Sequence, residues 1–130
     1  MIAIDTNLIV RYLTGDHATQ SARARALIDG ESVFVAVTVL LEVEWVLRSA
    51  YGYQAADIVH ALRVFAGLPT VTVEDGVMVA AALDLAERGM DFADALHVTR
   101  SGHCEAFVTF DRKLVTAAKR ARREGVREVR

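Results

Sequence analysis

At 130 residues, with 53% hydrophobic residues and one Pro, the chain is expected to fold as a single domain, 1–130, with little linker or disorder. A lone Cys104 excludes a disulfide framework and a thiolate metal site, and no run approaches the ~18 apolar residues of a membrane span. With no basic leader ahead of the first strand, the expectation is a cytoplasmic protein.

The net charge of −2 hides an asymmetry. Residues 112–130 hold eight Lys or Arg against two Glu, a net +6, which leaves −8 for the first 111. Such asymmetry points mildly to nucleic acid, although a solvated basic helix is the simpler reading.

Ile2-Ala3-Ile4 reads as a short buried strand, and a helix follows from about Asn7 to Leu13, stopped at Gly15. A second helix spans about Thr19 to Asp29, with Gly30 as its stop. Val33-Phe34-Val35-Ala36-Val37 is a β-branched strand, and Thr38 is placed to cap a helix running to about Ala50. Tyr51-Gly52-Tyr53 turns into a helix with an Ile58, Leu62, Phe65 stripe, and Thr70 to Val73 gives a third strand. Helices over 76–88 and 92–101 end at Gly89 and Gly102. Ala106 to Phe110 is a fourth strand, and a helix over 112–123 shows a Leu114, Ala117, Ala118, Ala121 stripe. Val126 to Val129 adds a short edge strand. Apolar strands alternating with helices predict an α/β fold: a three-layer α/β/α arrangement on a central parallel sheet of four or five strands. Sites in such sheets lie beyond the carboxyl ends of the strands.

Four acids sit in apolar sequence where carboxylates are scarce: Asp5, Glu42, Asp94 and Asp111. Asp5 and Asp111 end strands and precede helices, so either is explained, taken singly, as an N-cap. Asp91 has the spacing of a cap for the next helix, with Asp94 in its first turn. Glu44 and Arg48 are four apart and pair on one helical face. Glu42 lies about 200° from Glu44, beside Val39, Val46 and Ser49, with no cationic neighbour. Four separate caps can arise by chance. If the acids converge, their repulsion calls for a cation, and carboxylates with water suit Mg²⁺ or Mn²⁺.

Weaker candidates surround them. Thr6 and Asn7 are placed to orient Asp5 or hold water, Asn7 alternatively capping the first helix, and the Thr109 hydroxyl is placed to support Asp111. His97 reads as core; His17, His60 and His103 read as surface or packing residues. Trp45, Tyr51 and Tyr53 read as core or a protein interface. No Gly-rich phosphate loop, nucleophile elbow or H-E-x-x-H is present.

Four blocks in order carry a resemblance: Ile4-Asp5-Thr6-Asn7, Thr38-Val39-Leu40-Leu41-Glu42, Asp91-Phe92-Ala93-Asp94-Ala95-Leu96-His97, and Thr109-Phe110-Asp111-Arg112-Lys113-Leu114. Together they resemble the PIN-domain ribonucleases, and within them the VapC-type toxins of type II toxin–antitoxin pairs. The resemblance implies Mg²⁺- or Mn²⁺-dependent endonucleolytic cleavage of RNA, typically tRNA or ribosomal RNA, leaving a 5′-phosphate and a 3′-hydroxyl. It implies Asp5 and Asp94 as metal ligands with Glu42 and Asp111 completing the acidic quartet, and Thr6 as a supporting residue. It also implies a homodimer and a complex with a small DNA-binding antitoxin, whose C-terminal segment brings an Arg or Lys to the acids; the Trp45-to-Phe65 stretch is a candidate for part of that groove. In this setting Arg112, Lys113, Lys119, Arg120 and Arg123 are candidates to hold the RNA backbone. Two rival readings are an acidic-site phosphoryl-transfer or receiver-like domain and a non-catalytic RNA-binding module on the same fold. The first lacks its expected Lys and second Asp, and the second gains nothing from acids facing phosphates.

Overall fold

β-Branched runs between glycine stops produce short strands joined by helices, and the computed structural model describes all of them, Met1–Arg130. Two compact units are present, Met1–Gly76 and Val77–Arg130.

In the first unit, strands β1 (Ile2–Ala3), β2 (Val33–Val35) and β3 (Val71–Val73) form a parallel ladder with β2 in the middle, Ile2 opposite Val33 and Val33 opposite Val71. Four helices join them: α1 (Thr6–Thr14), α2 (Ala18–Gly30), α3 (Val37–Ser49) and α4 (Ala55–Ala66). Val33 and Val35 are fully buried because β2 is paired on both sides. β1, expected to be buried, is instead an exposed edge, and only Ile4 just beyond it is covered. Ile9, Ile28, Leu40, Leu47, Leu62 and Phe65 form the core, each worth about 1.5–3 kcal/mol of apolar burial.

The ends of these helices show what the sequence predicts and what it does not. α1 stops at Gly15 with φ 65, where an added Cβ would also approach Arg25 Nη2 to 3.0 Å. Beyond that turn Asp16 accepts from Tyr51 Oη at 2.6 Å, from the Thr14 hydroxyl and from Arg11; these bonds lower its pKa to about 2. α2 ends at Gly30, its last helical residue, and extended Glu31 takes the cap position as the chain passes into β2. Thr38 is not the expected cap: Ala36 holds the N-cap position without a side-chain bond, and Glu74 Oε1 accepts the Val37 N–H at 2.9 Å.

In the second unit, α5 (Gly76–Glu87, entering from the last residue of the first unit) and α6 (Phe92–Arg100) precede β4 (Phe107–Thr109), α7 (Arg112–Arg120) and β5 (Val126–Glu128). β4 and β5 pair in parallel, Phe107 opposite Val126, so α7 is their crossover helix. Each ladder is therefore parallel throughout, three strands in the first unit and two in the second. Leu114, Ala118 and Ala121 are buried, while Ala117 is half-buried at the margin. α7 ends three residues before the expected 123 because Arg122 takes a left-handed φ of 57 and turns the chain toward β5. No helix is long and apolar enough to cross a membrane.

Candidate active site

Parallel pairing carries the start of α1, the start of α3 and Glu74 to the same edge of the first ladder. Asp5 is the N-cap of α1, its Oδ1 accepting the Leu8 N–H at 3.1 Å. That role uses one oxygen, so capping and a functional carboxylate are compatible at this residue. Asn7 does not cap; it is an exposed helical residue that lines, with Asp5, Arg11 and Gln20, a cavity of about 680 Å³. Thr6 donates its hydroxyl hydrogen bond to Glu42 Oε1, across 36 residues of sequence. The sequence reading placed Thr6 in service of Asp5; the structure gives it to Glu42.

The two glutamates of α3 fall on opposite sides, but their burial reverses the expectation. Glu42 is exposed, and Glu44 is the covered one, at 7% exposure. Arg48 donates to both Glu44 oxygens at 2.9 and 3.3 Å, which compensates the burial of that charge. Glu42 therefore needs no partner to be tolerated, and its contact with Thr6 positions it rather than neutralising it.

In the second unit Asp91 caps α6, accepting the Asp94 N–H at 3.1 Å, as its spacing predicts. Asp94 is half-buried, and its pKa is raised, first by desolvation and then by the negative charges of Asp91 and Asp111, with His97 acting in the opposite sense. His97 is exposed rather than core. Asp111 caps α7, its Oδ1 accepting from the N–H groups of Lys113 and Leu114 at 2.9 and 3.3 Å. Thr109 supports that turn, though through the backbone: its hydroxyl accepts the Asp111 N–H at 2.9 Å. Within neither unit do three His, Cys, Asp or Glu side chains converge closely enough to hold a metal. The donor chemistry nonetheless fits a hard divalent cation, since hard carboxylate oxygens are the donors and Asp94 stands against two like charges.

The basic candidates divide. Arg112 donates to Glu128 at 3.1 Å with both groups exposed, Lys113, Lys119 and Arg120 are exposed, and Arg123 reaches the Val98 carbonyl at 3.4 Å. Trp45 and Tyr53, expected as core or interface, are 57% and 44% exposed, so core is excluded for both; Phe65 in the same stretch is fully covered. The sequence reading missed Glu74, whose carboxylate caps α3, and Arg88, which lines a cavity with Arg112, Lys113 and Arg120. No spacing rule links residues that far apart, and the only sequence signal at position 88 is a cation just before a glycine stop.

The family model of the PIN domain matches residues 2–120, nearly the whole chain. The chain belongs to the PIN domain family. PIN domains are generally metal-dependent nucleases. No curated protein matches this PIN domain.

Proposed function

We propose that this PIN domain is a Mg²⁺- or Mn²⁺-dependent endoribonuclease of the VapC type, cutting tRNA or ribosomal RNA and neutralised by a cognate antitoxin. The observation that carries the reading is Asp94, kept half-buried against the charges of Asp91 and Asp111 in a chain of this family. A carboxylate partly desolvated against two like charges favours a nearby cation, and a protein that merely bound RNA would gain nothing from it.

The carboxylates available to a cation are Asp5 and Glu42 within the first unit, and Asp94 and Asp111 within the second. When bound, it supplies charge neutralisation for the phosphodiester and lowers the pKa of an attacking water. The chain's own residues do the positioning. Thr6 fixes one oxygen of Glu42 and leaves the other to act. Asp5 and Asp111 are locked by their caps through Oδ1, so each presents Oδ2 in a set direction. An antitoxin segment bearing an Arg or Lys is proposed for the cavity in which the acids Asp5 and Glu31 and the apolar Leu8, Ala24 and Leu27 stand with Arg11, already paired with Asp16, and Arg23. A homodimer belongs to the same reading.

The test is incubation of antitoxin-free protein with total tRNA and ribosomal RNA in Mg²⁺ or Mn²⁺, and in EDTA. Discrete fragments with 5′-phosphate ends, formed only with metal, are expected. Folded, metal-loaded protein that leaves both pools intact would reject the proposed substrates.

The two glutamates separate function from stability. Glu42→Gln should reduce cleavage by roughly 10–100-fold, with stability changed by no more than about 0.5 kcal/mol. Glu44→Gln weakens a covered pair and should cost about 1–3 kcal/mol while the folded fraction cleaves normally. Equal loss of cleavage in both variants would show that α3 acts through its fold and not through Glu42.

A further inference from the structure

We propose that the cleft between the end of α5 and one side of α7, together with the exposed ring of Phe110, is a single-stranded RNA-binding track beside the acids of the second unit. This rests on the ribonuclease reading for its substrate class, but it makes its own prediction about binding.

A cavity of about 440 Å³ is lined by Arg88, Arg112, Lys113, Thr116 and Arg120 with Gly89 and Ala117. Four of these seven residues are cations, and none is an acid. Such a surface repels itself unless an anion fills it, and a phosphodiester backbone supplies successive anions. Helix stability accounts for Arg88 and Arg120, at the C-terminal ends of α5 and α7. It does not account for Arg112 and Lys113, which stand in the first turn of α7, at the positive end of its dipole, where cations are unfavourable.

The guanidinium groups have capacity for a ligand. Arg88 Nη1 donates to the Ala121 carbonyl at 3.2 Å, which fixes the side chain while most of its five N–H donors are not used by that bond. Arg112 is tied to Glu128 only by an exposed pair, with the two side chains 85% and 46% open to solvent, and such a pair is readily exchanged for phosphate. Lys119 does not line this cavity, and Arg123 lines another one and bonds Val98. The structure thus narrows the basic C-terminal segment to one face and adds Arg88, 24 residues before Arg112.

Phe110 identifies the polyanion. Its ring is 84% exposed, yet it lies in the chain between Thr109, which fixes the turn, and Asp111, which caps α7. An aromatic face two residues from the first cation of the cleft suits a nucleobase stacked beside its own backbone phosphate. An acidic peptide would use the cations but not the ring. Asp111 lies in the chain between Phe110 and Arg112, so the track adjoins this acid.

The experiment titrates a fluorescein-labelled, mixed-sequence, single-stranded RNA 12-mer into the Asp94→Asn protein by anisotropy, across a range of salt. Arg88→Gln/Arg120→Gln and Arg120→Gln alone should weaken binding, and each lost phosphate contact should reduce the slope of log affinity against log salt by about 0.7. Phe110→Ala should weaken binding by about 5–100-fold with the slope unchanged. Lys119→Gln, off the track, should shift Kd by less than about twofold. Charge variants that keep the parent's Kd and slope overturn the proposal, as does a poly-glutamate peptide that competes as well as RNA and ignores Phe110→Ala. The wild type is assayed for cleavage in parallel. Track-dependent binding without metal-dependent cleavage rejects the ribonuclease reading and keeps the track; cleavage with unaltered binding by the charge variants does the reverse.

Discussion

Asp94→Asn should abolish RNA cleavage, by about 10³-fold or more, while leaving the protein at least as stable as the wild type. A loss of that size corresponds to about 4 kcal/mol of transition-state stabilisation, within reach of one carboxylate in a cation-dependent site. The stability half follows from the geometry. Asp94 is partly desolvated and stands against Asp91 and Asp111, so removing its charge relieves repulsion and restores nothing that the fold needs. Its Tm should rise by up to a few degrees in EDTA. Asp5→Asn is the companion. Asn caps a helix about as well as Asp, so the Leu8 contact survives and the substitution removes charge alone. Cleavage should fall as far as in Asp94→Asn, with Tm nearly constant. The check is single-turnover cleavage of the mapped RNA beside thermal unfolding of each variant. Either variant cleaving within tenfold of the wild type would remove that residue from the catalytic set.

Those paired outcomes depend on a distinction that the sequence carries unevenly. Gly15, Gly52 and Gly89 all take positive φ near the turns where the helical patterns lapse, and β-branched and aromatic runs locate β2, β3 and β4, so the order of most elements is legible residue by residue. Asp5, Asp91 and Asp111 are legible as caps because a cap is a local event, decided within three residues. The environment of Glu42 is not local. Its partner Thr6 arrives from α1, which the parallel pairing of β1 with β2 brings alongside.

The reversed burial of Glu42 and Glu44 is a different kind of miss. Angular spacing separates the two acids correctly but does not say which side faces the core. Leu40, Val43 and Leu47, spaced three and four apart, mark that side, and Glu44 falls within their stripe. Arg48, one turn on, is the device that lets an acid sit there. The stripe was readable in the sequence; it is outvoted by the apolar neighbours of Glu42 only when flanking residues are counted without their period.

Stability and catalysis should come apart within a single helix. Ile9 lies four residues beyond Asp5 on α1 and is fully buried. Ile9→Ala removes three heavy atoms from a packed interior and leaves a cavity, at a cost of about 2–5 kcal/mol, a large share of the stability of a domain this size. Tm should fall by roughly 10 °C. Well below that transition, α1 still starts at the same cap, because the Asp5–Leu8 bond and the Thr6–Glu42 contact lie outside the cavity. Cleavage by the folded fraction should therefore stay within about tenfold of the wild type at low temperature, in contrast with the complete loss in Asp5→Asn. Thermal unfolding followed by circular dichroism, with cleavage measured 20–30 °C below each variant's own midpoint, tests this. An Ile9→Ala protein that keeps its Tm but loses cleavage would mean that the packing of α1 sets the position of Asp5, and that the acid is aimed by the core rather than by its cap.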